Sequence, residues 1–137
     1  RPVQELASLP GVEVTGSVPD VRPYVRRSAV MVAPLSIARG TQNKILEAMA
    51  MGVPVVTSSI GARGVDAVPG EHLIVADGAE ATAQAVCHLL GHPEERRRLS
   101  QAGRARVRSH HDWEGAMARM DRIVAERLGN SLAAWAA

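Results

Sequence analysis

Two apolar runs limit what this chain can become. AVMVAPL, Ala29 to Leu35, and PVVTS, from Pro54, are Val-rich and show no polar alternation, the pattern of strands covered on both faces. Between them lies ARGTQNKILEAMAMG, in which Ile45, Leu46, Ala48 and Met49 recur at helical spacing. Thr41 is the expected N-cap, Met51 the last helical residue and Gly52 the stop. Buried strands joined through a helix run parallel, because parallel pairing needs a crossover of this length.

The remainder repeats the alternation. PVQELASL reads as the end of a helix, Pro10 and Gly11 break it, and VEVTG, Val12 to Gly16, reads as a short strand. LIVA, Leu73 to Ala76, is a further buried strand. Ala79 to Leu90 is a helix stopped by Gly91 and Pro93. PEERRRLSQAGRARVRSH is a helix pair or one helix interrupted at Gly103, and WEGAMARMDRIVAERL is a last amphipathic helix. This order predicts a doubly wound α/β domain with a mostly parallel sheet. At 137 residues the chain is one domain, 1–137, with a partly ordered tail over 129–137.

Composition removes several function classes. With no Phe, one Tyr and two Trp there is no stacking platform for single-stranded nucleic acid, so no nucleic-acid partner is expected. The formal charge of +2 produces little long-range field. Six arginines crowd Arg96 to Arg108, where a solvated helix face is the plainer reading and contact with phosphates or anionic lipid the sharper one. The single cysteine, Cys87, forms no intramolecular disulfide and reads as a small core residue. No window reaches a membrane span and the N-terminus is no signal peptide, which predicts a cytoplasmic protein with at most peripheral contact to the inner membrane. No metal is expected, since Gly91 and Pro93 separate His92 from the helix of His88 and the adjacent His110 and His111 point apart.

Chemistry concentrates after the first apolar run. In an open parallel sheet ligands sit beyond the carboxyl ends of the strands, so the loops following AVMVAPL and PVVTS should share a rim. Gly40, Thr41, Gln42 and Asn43 lead into a helix whose first amides are free for a phosphate, and Lys44 adds a cation. Glu47, one turn in, offers two acceptor oxygens to vicinal hydroxyls, as a ribose would present. Ser58 and Gly61, after PVV, are candidates for a phosphate or sugar loop, and equally for building the next turn. Asp20, Asp66 and Asp77 sit in Gly- and Pro-rich loops, where turn formation is the default.

ARGTQNKILEAMAMGVPVV resembles the donor-binding segment of retaining GT-B glycosyltransferases of the glycosyltransferase family 4, or "glycosyl transferases group 1", type. VEVTGSVPDVRPYVRRSAVMVAPL, LIVADG and HDWEGA extend the likeness over nearly the whole chain, and ARG-x-QNK-x-LEAMAMG further resembles a branch associated with bacterial exopolysaccharide export. The resemblance implies a Rossmann-like C-terminal donor domain that binds a nucleotide-diphosphate-sugar, without a metal or other cofactor, and transfers the sugar with retention to a glycan or lipid-linked acceptor. A non-catalytic sugar-nucleotide-binding module and a sugar-nucleotide epimerase of the same fold are the alternatives. Glu47 matches the family's second motif glutamate, which holds the ribose.

The sequence departs from that pattern twice. Arg39 stands where the family has its first glutamate, near the transferred sugar; an arginine would instead pair with the diphosphate or with an acidic sugar or acceptor. Nothing before Val3 corresponds to the glycine-bearing strand and loop that open the family's donor domain. These departures imply that the chain alone does not transfer sugar, that acceptor contacts lie in an N-terminal domain, and that unpaired strand edges favour self-association.

Overall fold

The computed structural model describes residues 3–135, with side chains through residue 128. A short 3-10 helix, Val3–Ser8, precedes α1 (Arg22–Arg27), β1 (Met31–Ala33), α2 (Asn43–Ala50), β2 (Val55–Thr57), α3 (Ser59–Ala62), β3 (Ile74–Val75), α4 (Ala79–Gly91), α5 (Pro93–His110) and α6 (Trp113–Trp135). The expected partly ordered tail, 129–137, falls on residues whose side chains lie outside those described.

The three strands form one parallel sheet in the order β1-β2-β3, with Met31 opposite Val55 and Val56 opposite Ile74. β2 is buried throughout and its side chains feed two cores in turn. Val55 joins Ile45, Ala48 and Met49 of α2, while Val56 joins Leu89 of α4 and Leu99 of α5 on the other face. Helices thus cover both faces, which is the doubly wound α/β class expected. Burying these apolar runs on two sides is the main stabilising contribution.

The edges depart from the sequence reading in ways that follow from partner availability. Val12–Gly16 is not a strand: it runs between Gly11 and Gly16, both at positive φ, and pairs with no strand among the described residues. A five-residue run gains nothing from an extended shape without a neighbour to take its hydrogen bonds. β1 is covered on one face only, and Val32 remains 40% exposed because α4 lies over β2 instead. Cys87 is exposed, not core, since α4 turns Ala85, Val86 and Leu89 inward. Trp113 is 75% exposed at the start of α6, and Met120, Ile123, Val124 and Leu128 form an uncovered stripe along that helix.

α5 is unbroken through Gly103. A Cβ there would stand 2.9 Å from the His72 carbonyl oxygen, so glycine serves close approach to the loop before β3 and not a helix break. Ser100 Oγ donates to the Gly52 carbonyl at 2.6 Å, fixing the C-terminus of α2 on α5. Of the six arginines, Arg96 donates to carbonyls ending α4, Arg98 pairs with Glu95, and Arg106 pairs with Asp66 at 2.6 Å. Arg97, Arg104 and Arg108 are exposed.

The Arg106 guanidinium, by its hydrogen bond, holds the Asp66 carboxyl below its ordinary value of 3.8, and Arg98 does the same to Glu95 below 4.5. A depressed folded-state pKa contributes stability that is complete above the unfolded value and is lost as pH falls through the folded one. The melting temperature is therefore expected to decline below about pH 4.5, and Asp66→Asn to decline less steeply, as differential scanning fluorimetry across pH 3 to 7 would read.

Candidate functional site

α2 presents an open end. Gln42 occupies the cap position with no side-chain cap bond, and Thr41, the expected cap, lies one residue outside it. The Gln42 amide instead folds back, donating to the carbonyls of Arg39 at 3.2 Å and Gly40 at 3.1 Å. That turn depends on Gly40, whose φ of 64° is a left-handed conformation. No side chain among the described residues accepts from the first amides of α2, at Asn43 and Lys44, which carry the positive end of the helix dipole. Thr41, Asn43 and Lys44 are exposed.

The loop after β2 reaches the same place. Thr57 Oγ1 donates to the Ala33 carbonyl at 2.9 Å and Ser58 Oγ to the Leu35 carbonyl at 2.6 Å, tying the ends of β1 and β2 together. Ser58 also accepts from the Gly61 amide at 3.2 Å and so caps α3, while Asp77 accepts from the Ser59 amide at 2.9 Å. Both polar groups build the turn. Gly61 is buried, and a Cβ on it would lie 2.3 Å from Thr57 Oγ1. Three residues on, a Cβ on Gly64 would lie 2.1 Å from the Gly40 carbonyl oxygen and 3.2 Å from Thr41 Cα. The two glycine loops touch backbone to backbone, on one rim as expected.

Glu47 is exposed and faces a cleft of about 520 Å³ between α2 and the segment Val18 to Arg22. Val18, Pro19 and Val21 supply its apolar wall, and Asp20 and Arg22 pair across 2.9 Å at its edge. The hydrogen bond from Arg22 holds Asp20 below its ordinary carboxyl value. Ser58 lines a different cleft, of about 660 Å³, with Pro34, Leu35, Asp77 and Thr82. The structure therefore gathers Arg39 to Lys44 and Gly64 at the tip of α2, sets Glu47 one turn along, and leaves Ser58 behind the rim.

Sequence reasoning missed two participants. One is the cleft wall at Val18 to Arg22, where the sequence singles out only Asp20, as a turn-former. The other is Arg63, exposed and next to Gly64, signalled only by the recurrence of Ala-Arg-Gly at residues 38–40 and 62–64. The His88 and His92 rings stack with centroids 4.1 Å apart, closer than their separation by Gly91 and Pro93 suggests, yet no group of three metal-ligating side chains forms among the described residues. Nor is any helix among them long and apolar enough to cross a membrane.

A parallel sheet with helices on both faces is the doubly wound α/β class, in which ligands bind beyond the carboxyl ends of the strands, where the glycine-lined tip of α2 lies. Residues 1–92 match the family Glycosyl transferases group 1, and the chain belongs to it. Among solved structures it is similar to a sucrose-phosphate synthase (tll1590) from Thermosynechococcus elongatus, with 27% identity and a TM-score of 0.69 over 80% of this chain. The chain spans 28% of the length of that protein. No curated protein matches it.

Proposed function

We propose that this chain is the nucleotide-diphosphate-sugar-binding part of a retaining glycosyltransferase of hexosyl type. The carrying observation is the open tip of α2, uncapped and exposed beside Lys44, with Glu47 one turn along over a partly apolar cleft. A nucleoside diphosphate fits that order: base against Val18, Pro19 and Val21, ribose hydroxyls on Glu47, and phosphates on the amides near Thr41 to Lys44. Gly40 shapes the phosphate turn, Gln42 holds it, and Ser58 and Gly61 build the turn that brings Gly64 against it. The leaving diphosphate is stabilised by oriented amides and Lys44, so no metal enters this reading. Family membership and the likeness to a protein named as a sucrose-phosphate synthase support sugar transfer.

The acceptor in this reading is a glycan or lipid-linked sugar of exopolysaccharide or envelope synthesis, met through a further domain at the cytoplasmic face of the membrane. In this reading the edge of β1, unpaired on one side among the described residues, lets copies self-associate. Arg39, in place of a carboxylate at the site, specifically favours a second reading, a binding module without catalysis; transfer by the longer protein, or donor binding without it, separates the two.

Thermal unfolding with UDP, GDP, ADP and their sugars tests the proposal. Ligand at ten times its dissociation constant stabilises by about 1.4 kcal/mol, a few degrees here, and one base should give that shift. A cooperative transition unmoved by every nucleotide would refute donor binding.

A further inference from the structure

We propose that Arg39 and Arg63 together bind a carboxylate on the donated sugar, making the donor a nucleotide-linked hexuronic acid. The inference rests on the nucleotide-sugar reading above and concerns the end of the ligand that the reading leaves open.

The two arginines occupy equivalent places in two Ala-Arg-Gly tripeptides, residues 38–40 and 62–64. The following glycines are in backbone contact, with a Cβ on Gly64 falling 2.1 Å from the Gly40 carbonyl oxygen. Consecutive Cα atoms are about 3.8 Å apart, so both arginines start within one residue of that contact, a separation that two arginine side chains can span to meet on one ligand group. Both are exposed, and neither has a carboxylate within ion-pair distance among the described residues. Asp66, the acid closest in sequence to Arg63, is held by Arg106.

The ligand's own geometry selects what meets them. A nucleotide sugar is linear, running nucleoside, diphosphate, sugar. Glu47 lies about 6 Å along the helix from the tip of α2, at 1.5 Å per residue, so a ribose on Glu47 puts the diphosphate at the tip. The sugar then lies beyond the tip, over the two tripeptides. Two guanidiniums that turn toward one sugar repel each other and gain little from a neutral hexose. A carboxylate accepts from both in fork geometry and cancels the repulsion.

Calorimetric titration of the 137-residue chain is the test, using matched donors on the base it accepts: UDP-glucose with UDP-glucuronic acid, GDP-mannose with GDP-mannuronic acid, or ADP-glucose with ADP-glucuronic acid. The uronate is expected to bind about tenfold tighter than its hexose, the scale of one hydrogen bond to a charged group. Arg39→Gln and Arg63→Gln should each close that gap, and the double variant should add little, because both bind one group. Equal affinity within the pair overturns the proposal, as does a gap that survives both substitutions. Loss of bare UDP, GDP or ADP affinity equal to the loss for the uronate also overturns it, by assigning the arginines to the diphosphate. Failure of every nucleotide to bind removes the proposed function, and this inference with it.

Discussion

Gly64→Ala is expected to lower the melting temperature by about 10 °C and to abolish nucleotide binding. Gly64 does not sit at positive φ, so alanine meets no backbone strain of its own. The cost comes from the contact: the added methyl would stand 2.1 Å from the Gly40 carbonyl oxygen and 3.2 Å from Thr41 Cα, and both are backbone atoms that cannot swing aside. Overpacking of this kind costs about 3 kcal/mol, which for a chain this size is a fall near 10 °C. Relief requires the Gly40 turn to move, and that turn carries the amides at the tip of α2. Gly70→Ala is the control. Gly70 has a φ of 79° and no atom within 4 Å of its would-be Cβ, so its cost is conformational and binding should survive. Thermal unfolding and nucleotide titration of the two variants, side by side, read the difference.

Glu47→Ala should weaken nucleotide affinity about a hundredfold with almost no change in stability. The side chain is exposed and forms no hydrogen bond or ion pair among the described residues, so folding loses little by its removal. A ribose loses two hydrogen bonds to a charged acceptor, each worth about tenfold or more. Glu47→Gln keeps one acceptor oxygen and should fall between. Titration with the preferred nucleoside diphosphate measures the ratio; equal affinity in wild type and Glu47→Ala would remove the ribose from this position.

Local requirements made much of the fold legible. β2 is covered on both faces, so Val55 and Val56 are apolar and the buried Thr57 must place its hydroxyl on the Ala33 carbonyl, and PVV announces the first two. The face of α2 is written in Ile45, Ala48 and Met49, and its end in Gly52 at a φ of 75°. What failed depended on distant partners. Val12 to Gly16 has strand-like residues, but its state is decided by whether a neighbour pairs with it. Gly103 reads as a helix breaker until the loop carrying His72 is seen pressed against it. Thr41 has the right chemistry for a cap, yet Gln42 displaces it by folding onto the preceding loop.

The site was legible in kind and less so in membership. Lys44 and Glu47 are spaced by the helix itself, so their order along α2 follows from sequence. The contact between Gly40 and Gly64 joins loops far apart in the chain, and only the repeated Ala-Arg-Gly hinted at it. Ser58 and Glu47 line separate clefts, the first beside Asp77 and Thr82 and the second beside Val18 to Arg22, and no local spacing in the sequence shows this.

In the proposed function a nucleoside diphosphate lies along α2 from the Val18–Arg22 cleft to the Gly40 turn. Amide chemical-shift mapping of the isotopically labelled chain, titrated with UDP, GDP and ADP, tests this most directly. One nucleotide is expected to shift the amides of Gly40 to Lys44 most, with Val18 to Arg22 and Gly64 following, and to leave those of α4 in place. Shifts centred on Leu35, Asp77 and Gly78, or none with any nucleotide, would contradict it.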